Sequence, residues 1–317
     1  MSHRIVFVGN PPYHDFEGAF GSSPISIYQN FVERALDHGG EALLVIPARW
    51  YAAGRGLDDF RIHMVSSRKV RQMVDFPIAS NVFPSVEIEG GVCFLHVSNT
   101  HAGDCSFTDV NGQVHSVNLS KYDIVIRDLC AHTIISKVLS QHTIFMDSSV
   151  SGGVPFGMRT NFRSFTEQSA TTLPCLTKNG LVYIDRKYVT TGEQMIPQWK
   201  TICSNADGAA NRIDLDGKKR VLTIIDTIPP SHVCLQTYLV VMATDLEDEA
   251  RNCTGYLKTK FARFLLGLRK VTQHLSKEKF AWVPKMDFTR PWLDNELYDH
   301  FGLTADEQAH IEATIKP

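Results

Sequence analysis

An apolar strand, a helix and a second apolar strand within about forty residues limit what this chain can fold into more than any other feature. Residues 4–8 (Arg-Ile-Val-Phe-Val) read as a short buried strand closed by Gly9. From Pro24 to His38, the residues Ile25, Tyr28, Phe31, Val32, Ala35 and Leu36 recur at helical spacing, with Ser23 as the expected N-cap and Gly39-Gly40 as the stop. Residues 42–46 (Ala-Leu-Leu-Val-Ile) form a second continuous apolar strand, ended by Pro47. A strand, a crossover helix and a strand make a βαβ unit, which implies a parallel sheet and the α/β class. A helix over 57–66 and strands over 70–76 and 91–97 extend this layer.

At the end of the first strand stand Asn10-Pro11-Pro12-Tyr13. An amine attached to an aromatic ring or a carbonyl is a poor nucleophile, because its lone pair is delocalised. Two acceptors at a fixed angle can draw it toward a tetrahedral, more nucleophilic shape. The Asn10 side-chain oxygen is one such acceptor, and the backbone carbonyl of Pro11 is the other. The prolines fix φ and remove backbone donors, which holds the turn rigid. The Tyr13 ring offers a flat base a face to stack on once it has left a duplex. Acceptors already in place for the transition state are the expected catalytic device. The tetrapeptide by itself suits an adenine amine, a guanine amine or a glutamine amide equally well.

Beyond about residue 98 the pattern changes to polar, turn-rich stretches with short strand candidates at 122–127, 142–146, 181–185, 220–226 and 233–243. This predicts a separate mixed α+β domain over 99–250 after an α/β region over 1–98. Residues 251–317 read as helical. A helix over 256–275 carries Leu257, Phe261, Phe264, Leu265 and Leu268 on one face and Lys258, Lys260, Arg263, Arg269 and Lys270 elsewhere. A short helix follows over 296–301, and Thr304 with Glu307 predicts a capping box for a last one. The basic side chains Lys258, Lys260 and Arg263, with Arg159 and Arg163 near the Gly152-Gly153 loop, are the candidates for phosphate contact. The run Asp245, Glu247, Asp248, Glu249 would repel a phosphate backbone.

Several segments together resemble the latter part of the adenine-specific DNA methyltransferases of restriction–modification systems, of type II and type III-like kinds. They are Phe7 to Tyr13, Leu44-Val45-Ile46-Pro47-Ala48-Arg49-Trp50, Asn81-Val82-Phe83-Pro84-Ser85-Val86, Gly90 to Phe94, Thr237-Tyr238-Leu239 and Tyr256 to Phe261. The resemblance implies part of a doubly wound methyltransferase sheet followed by a target-recognition domain. It implies methyl transfer from S-adenosylmethionine to the amine of a flipped adenine in double-stranded DNA, with Phe83 opposite Tyr13 across the base. The glycine-rich turn that holds S-adenosylmethionine in that family is not found: nine residues precede Asn10, and Leu222-Thr-Ile-Ile-Asp226 runs on into Thr-Ile-Pro-Pro. The cofactor half is therefore expected from a second subunit or a missing upstream half. The rival expectation is a non-catalytic DNA-recognition protein descended from such an enzyme.

Composition narrows the remaining classes. With 317 residues, 43% apolar and 21% charged, the chain can bury a substantial core. No apolar run approaches the roughly 20 residues that span a bilayer. The seven scattered cysteines form no Cys-x-x-Cys pair, so neither a disulfide framework nor a zinc site is expected and a cytoplasmic setting fits. No His-x-x-x-His, phosphate-loop, nucleophile-elbow or nuclease signature stands out.

Overall fold

The computed structural model describes residues 5–15, 25–52, 54, 56–206, 218–270 and 273–316. The expected N-cap Ser23 lies outside the described residues. The chain divides into two compact units, Met1–Arg127 and Asp128–Pro317.

In the first unit, β1 (Val6–Gly9) is followed by a small antiparallel pair, β2 (His14–Asp15) with β3 (Ile25–Ser26), then α1 (Tyr28–Asp37) and β4 (Glu41–Pro47). Next come α2 (Asp58–Ser66), β5 (Val70–Phe76), β6 (Val92–Ser98), β7 (Cys105–Thr108) and β8 (Val114–Val117). The βαβ reading holds, because β1 and β4 pair in parallel with Gly9 against Leu44. The six-stranded order is β1-β4-β6-β5-β7-β8. It is mixed: β6 lies antiparallel between β4 and β5, and β5 pairs in parallel with β7. Strands β4 and β6 bury Ala42, Leu44, Ile46, Cys93, Leu95 and Val97, alternate residues that share one face of the sheet, while the opposite face is largely half-buried. Helix α1 lays Tyr28, Val32, Ala35 and Leu36 into this core.

At the other edge, β1 departs from that pattern. Among the described residues it pairs with β4 alone. Although its sequence is apolar on both faces, Val6 is 48% and Val8 75% exposed.

The second unit begins with α3 (Ala131–Gln141) and continues with β9 (Thr172–Thr177), β10 (Gly180–Asp185), β11 (Trp199–Ser204), β12 (Ile225–Ile228), β13 (Val233–Cys234) and β14 (Tyr238–Thr244). Two three-stranded sheets, β10-β9-β13 and β12-β11-β14, share a core that includes Phe156, Cys175, Ile184, Ile202, Val233 and Val240. The strands anticipated at 122–127 and 142–146 do not form; residues 146–148 are a 3-10 turn instead.

The expected single helix over 256–275 is two helices, α4 (Glu247–Lys258) and α5 (Lys260–Arg269). Thr259 adopts φ −64° and ψ 151°, and its hydroxyl accepts from Ala262 N as the N-cap of α5. Asp294 completes the break: its carboxylate accepts from Lys260 N at 3.1 Å and Phe261 N at 2.8 Å. Hydrophobic periodicity alone does not see this interruption, because the apolar stripe runs through it. Of the acidic run, Glu247, Asp248 and Glu249 fall in the first turn of α4, where the helix dipole favours them. Two more helices, α6 (Asp294–His300) and α7 (Ala305–Thr314), close the unit, and α7 carries the anticipated Thr304–Glu307 capping box.

Candidate functional site: the carboxyl edge of the first sheet

Strand directions gather the sequence candidates of the first unit at one edge. Strand β1 ends in the tetrapeptide, and β4, parallel to it, ends in Pro47 and the Ala48–Tyr51 turn. Strand β5 ends at Phe76 beside Val92, where the reversed β6 begins. The turn carrying Phe83 connects those two. Carboxyl ends of parallel strands are where open α/β sheets bind their ligands.

Gly9 sets the exit from β1. Its φ of +147° is one that L side chains rarely adopt, and it hands the chain to Asn10. Asn10 and Pro12 are exposed, Pro11 is buried and Tyr13 is half-buried. The Tyr13 carbonyl accepts from Ile27 N at 3.1 Å, which ties the motif to the start of α1. The Tyr13 hydroxyl points to Val45 O at 3.4 Å, a weak bond. Burial and the nearby Cys93 push the Tyr13 hydroxyl up to about 12, while a hydrogen bond from the Asn10 side chain acts in the opposite direction. Edge-on aromatic contacts run from Tyr13 to Tyr28 at 6.3 Å, from Tyr28 to Phe60, and from Phe60 to Trp50. The motif aromatic is thus held from behind by a fully buried aromatic cluster.

Phe83 is half-buried in a tight turn, with its N–H on Ala79 O at 2.9 Å and Ser85 at φ 68° two residues on. Among the described residues no ring contact joins Phe83 to Tyr13. Gly91 closes the same turn against β5, where a side chain would strike Phe76 O at 2.2 Å.

One polar cluster under this edge escapes sequence reading. The Asp75 side chain, fully buried at the end of β5, pairs with the Arg127 guanidinium at 3.3 Å. Arg127 also lies 4.8 Å over the Tyr51 ring and donates to Gly90 O. Cys93 sits beside Asp75 in register, and burial pushes its thiol up to about 12. Arg127 thereby clamps the ends of β4, β5 and β6 together. Its separation of 52 residues from Asp75 gives no periodic or spacing signal.

In the second unit the basic candidates fare differently from one another. Arg159, Arg163 and Lys258 are exposed, although Arg163 spends its guanidinium on Thr160 O and Phe162 O. Lys260 is committed to Glu312. Arg263 is half-buried against Thr259 O, Arg269 lies over Trp282, and Lys270 is buried. Most of the anticipated basic face therefore serves packing.

S-adenosylmethionine is the methyl donor that the resemblance implies, and the described residues do not fit it. Strand β1 runs into Asn-Pro-Pro-Tyr and β4 into a 3-10 turn, so neither leads through a glycine-rich turn into a helix.

Residues 5–83 match the family model of the Eco57I restriction-modification methylase. A stretch of 102 residues is 29% identical to an uncharacterized adenine-specific methylase of Mycoplasma pneumoniae, covering 31% of this chain and 24% of that protein. The chain thus matches about a quarter of the length of this curated relative. Among solved structures, the type IIG restriction endonuclease BpuSI is similar over 92% of this chain and 44% of its own, at 9% identity and a TM-score of 0.33. The EcoKI M protein, from a type I restriction enzyme, is similar over 36% of this chain and 23% of its own, at 16% identity and a TM-score of 0.22. The family-model match thus falls in about the first quarter of the chain. Among the described residues no helix is long and apolar enough to cross a membrane.

Proposed function

We propose that this chain is the substrate-holding half of an adenine-specific DNA methyltransferase of a restriction–modification system. The observation that carries the reading is the convergence of Asn10–Tyr13, the Ala48–Tyr51 turn and the Phe83 turn on one carboxyl edge of the sheet. A flipped adenine would stack between Tyr13 and Phe83. Its amine would donate one N–H to the Asn10 side-chain oxygen and the other to the Pro11 carbonyl. Asn10 spends an amide N–H on Tyr13, which orients the side chain and keeps its oxygen for the base. Arg159, Arg163 and Lys258, the exposed cations, are the proposed DNA contacts of the second unit; Lys260 and Arg263 would join them only by giving up their present partners.

The cofactor half would dock along β1 as a further parallel strand of an α/β unit, supplied by a second subunit or by an upstream half. An apolar strand that exposes Val6 and Val8 and is hydrogen-bonded to β4 along one edge is what such a strand would complete. The partial coverage of the methylase relative supports the same reading.

The test reconstitutes the chain with a cofactor-half polypeptide, labelled S-adenosylmethionine and unmethylated duplex DNA. Asn10→Ala should abolish transfer while leaving assembly intact, and Val8→Lys should weaken assembly while leaving the isolated chain folded. Transfer undiminished in Asn10→Ala removes the motif from the chemistry. DNA binding with no transfer in any reconstituted mixture favours the non-catalytic recognition protein. The isolated chain should bind S-adenosylmethionine weakly or not at all by calorimetry, and micromolar binding would contradict the split site.

A further inference from the structure

Asp128, Cys130 and His310 come from the two ends of the second unit, and each offers a metal-binding atom within 4.8 Å of the others. Asp128 and Cys130 lead into α3: Asp128 O accepts from Ala131 N at 3.0 Å, and Cys130 is the N-cap residue. His310 lies within α7, its ring edge-on to Phe264 at 5.7 Å. The Asp128 carboxylate and His310 Nε2 are 2.7 Å apart. Asp128 and His310 are half-buried, whereas Cys130 is exposed; the other six cysteines are all buried.

We infer that Asp128, Cys130 and His310 form a binding site for a zinc-class transition-metal ion that clips the start of α3 to α7. One oxygen, one sulfur and one imidazole nitrogen suit borderline-soft zinc and do not suit magnesium or calcium, which take oxygen ligands. Bond lengths of about 2.0–2.3 Å place tetrahedral ligands roughly 3.3–3.6 Å apart. Binding would thus open the Asp128–His310 contact by less than about an ångström and draw the Cys130 sulfur inward. The exposed side leaves the fourth position to water. On binding, the Cys130 thiol gives up its proton to solvent, and His310 gives up the Nε2 proton that now faces the Asp128 carboxylate, so that Nε2 can donate its lone pair while Nδ1 keeps the remaining ring proton. The ion's charge is then partly neutralised by two anionic ligands. A salt bridge between Lys137 and Glu307, at 2.6 Å, already joins the same two helices. The positive end of α3 and the Lys219 ammonium, which acts on His310, oppose a cation. The expected affinity is therefore micromolar, below that of closed structural zinc sites.

The test uses the full chain, stripped with a chelator and titrated with cobalt(II). One equivalent should give a sulfur-to-cobalt charge-transfer band in the near ultraviolet and intense tetrahedral bands in the visible, with uptake displaced by zinc. Cys130→Ser should lose the charge-transfer band, and His310→Gln should weaken binding at least tenfold. The metal-free melting temperature of each variant, measured first, separates loss of binding from loss of fold. Zinc should then raise the melting temperature of the unaltered chain and not that of Cys130→Ser. No charge-transfer band at a hundred micromolar cobalt, a band that survives in Cys130→Ser, or an octahedral spectrum would each overturn the site.

Discussion

Replacing Arg127 with methionine should loosen the carboxyl edge of the first sheet by about 3–5 kcal/mol, the usual loss when one partner leaves a buried ion pair. The magnitude follows from the geometry. The Asp75 side chain has no solvent exposure, and the pair is separated by 3.3 Å, so at an effective dielectric of about 20 the attraction is roughly 5 kcal/mol. The substitution keeps the side-chain bulk but also removes the cation over Tyr51 and the bond to Gly90 O, together worth about 1–3 kcal/mol more before relaxation. Against a total stability of about 5–15 kcal/mol, this is a large fraction. The two units need not melt together, so the assay is hydrogen exchange read by mass spectrometry at the amides of β5 and β6. The double variant Asp75→Asn/Arg127→Met should recover at least about 1 kcal/mol over Arg127→Met, because the buried charge leaves with its partner. A single-variant loss below about 1 kcal/mol, or a double variant no better than the single, would refute the clamp.

Three further outcomes follow from the second unit. Lys200 is buried with its ammonium on the carbonyls of Met195, Ile196 and Gln198, and burial lowers it from 10.5 to about 8. The unfolded chain therefore binds more protons than the folded one between about pH 8 and 10.5, so this group makes stability rise with pH across that window. The difference in urea midpoint between the unaltered chain and Lys200→Met should show that slope and be flat below pH 7. Asp294→Ala removes the acceptor of two N–H groups at the start of α5 and should cost about 1–2 kcal/mol in denaturant melts, with Asp294→Asn milder. For DNA contact, Lys258→Ala should reduce the slope of log affinity against log salt by about 1, whereas Lys260→Ala, whose ammonium is held by Glu312, should leave it unchanged.

Local pattern determined a good part of this protein. The βαβ start, the strands over 70–76 and 91–97 and the capping box of the last helix were all legible, because each depends on periodicity, glycine stops or cap chemistry within a few residues. The tetrapeptide at a strand end was legible for the same reason: its chemistry is written in four consecutive residues. Tertiary structure decided what depends on partners distant in the chain. The reversal of β6 between β4 and β5 depends on strand pairing, which no single strand encodes. The break at Thr259 depends on Asp294, 35 residues on in sequence, accepting from backbone N–H groups that an unbroken helix would have used internally. The basic face of that segment disappeared into packing because Glu312, Trp282 and the core meet it only in the folded unit. Two constellations have no sequence signature at all: Asp75 with Arg127, and Asp128 and Cys130 with His310. Side chains so far apart in the chain can share a charge or a metal ion only after the core has set their backbones, and that placement is a property of the fold.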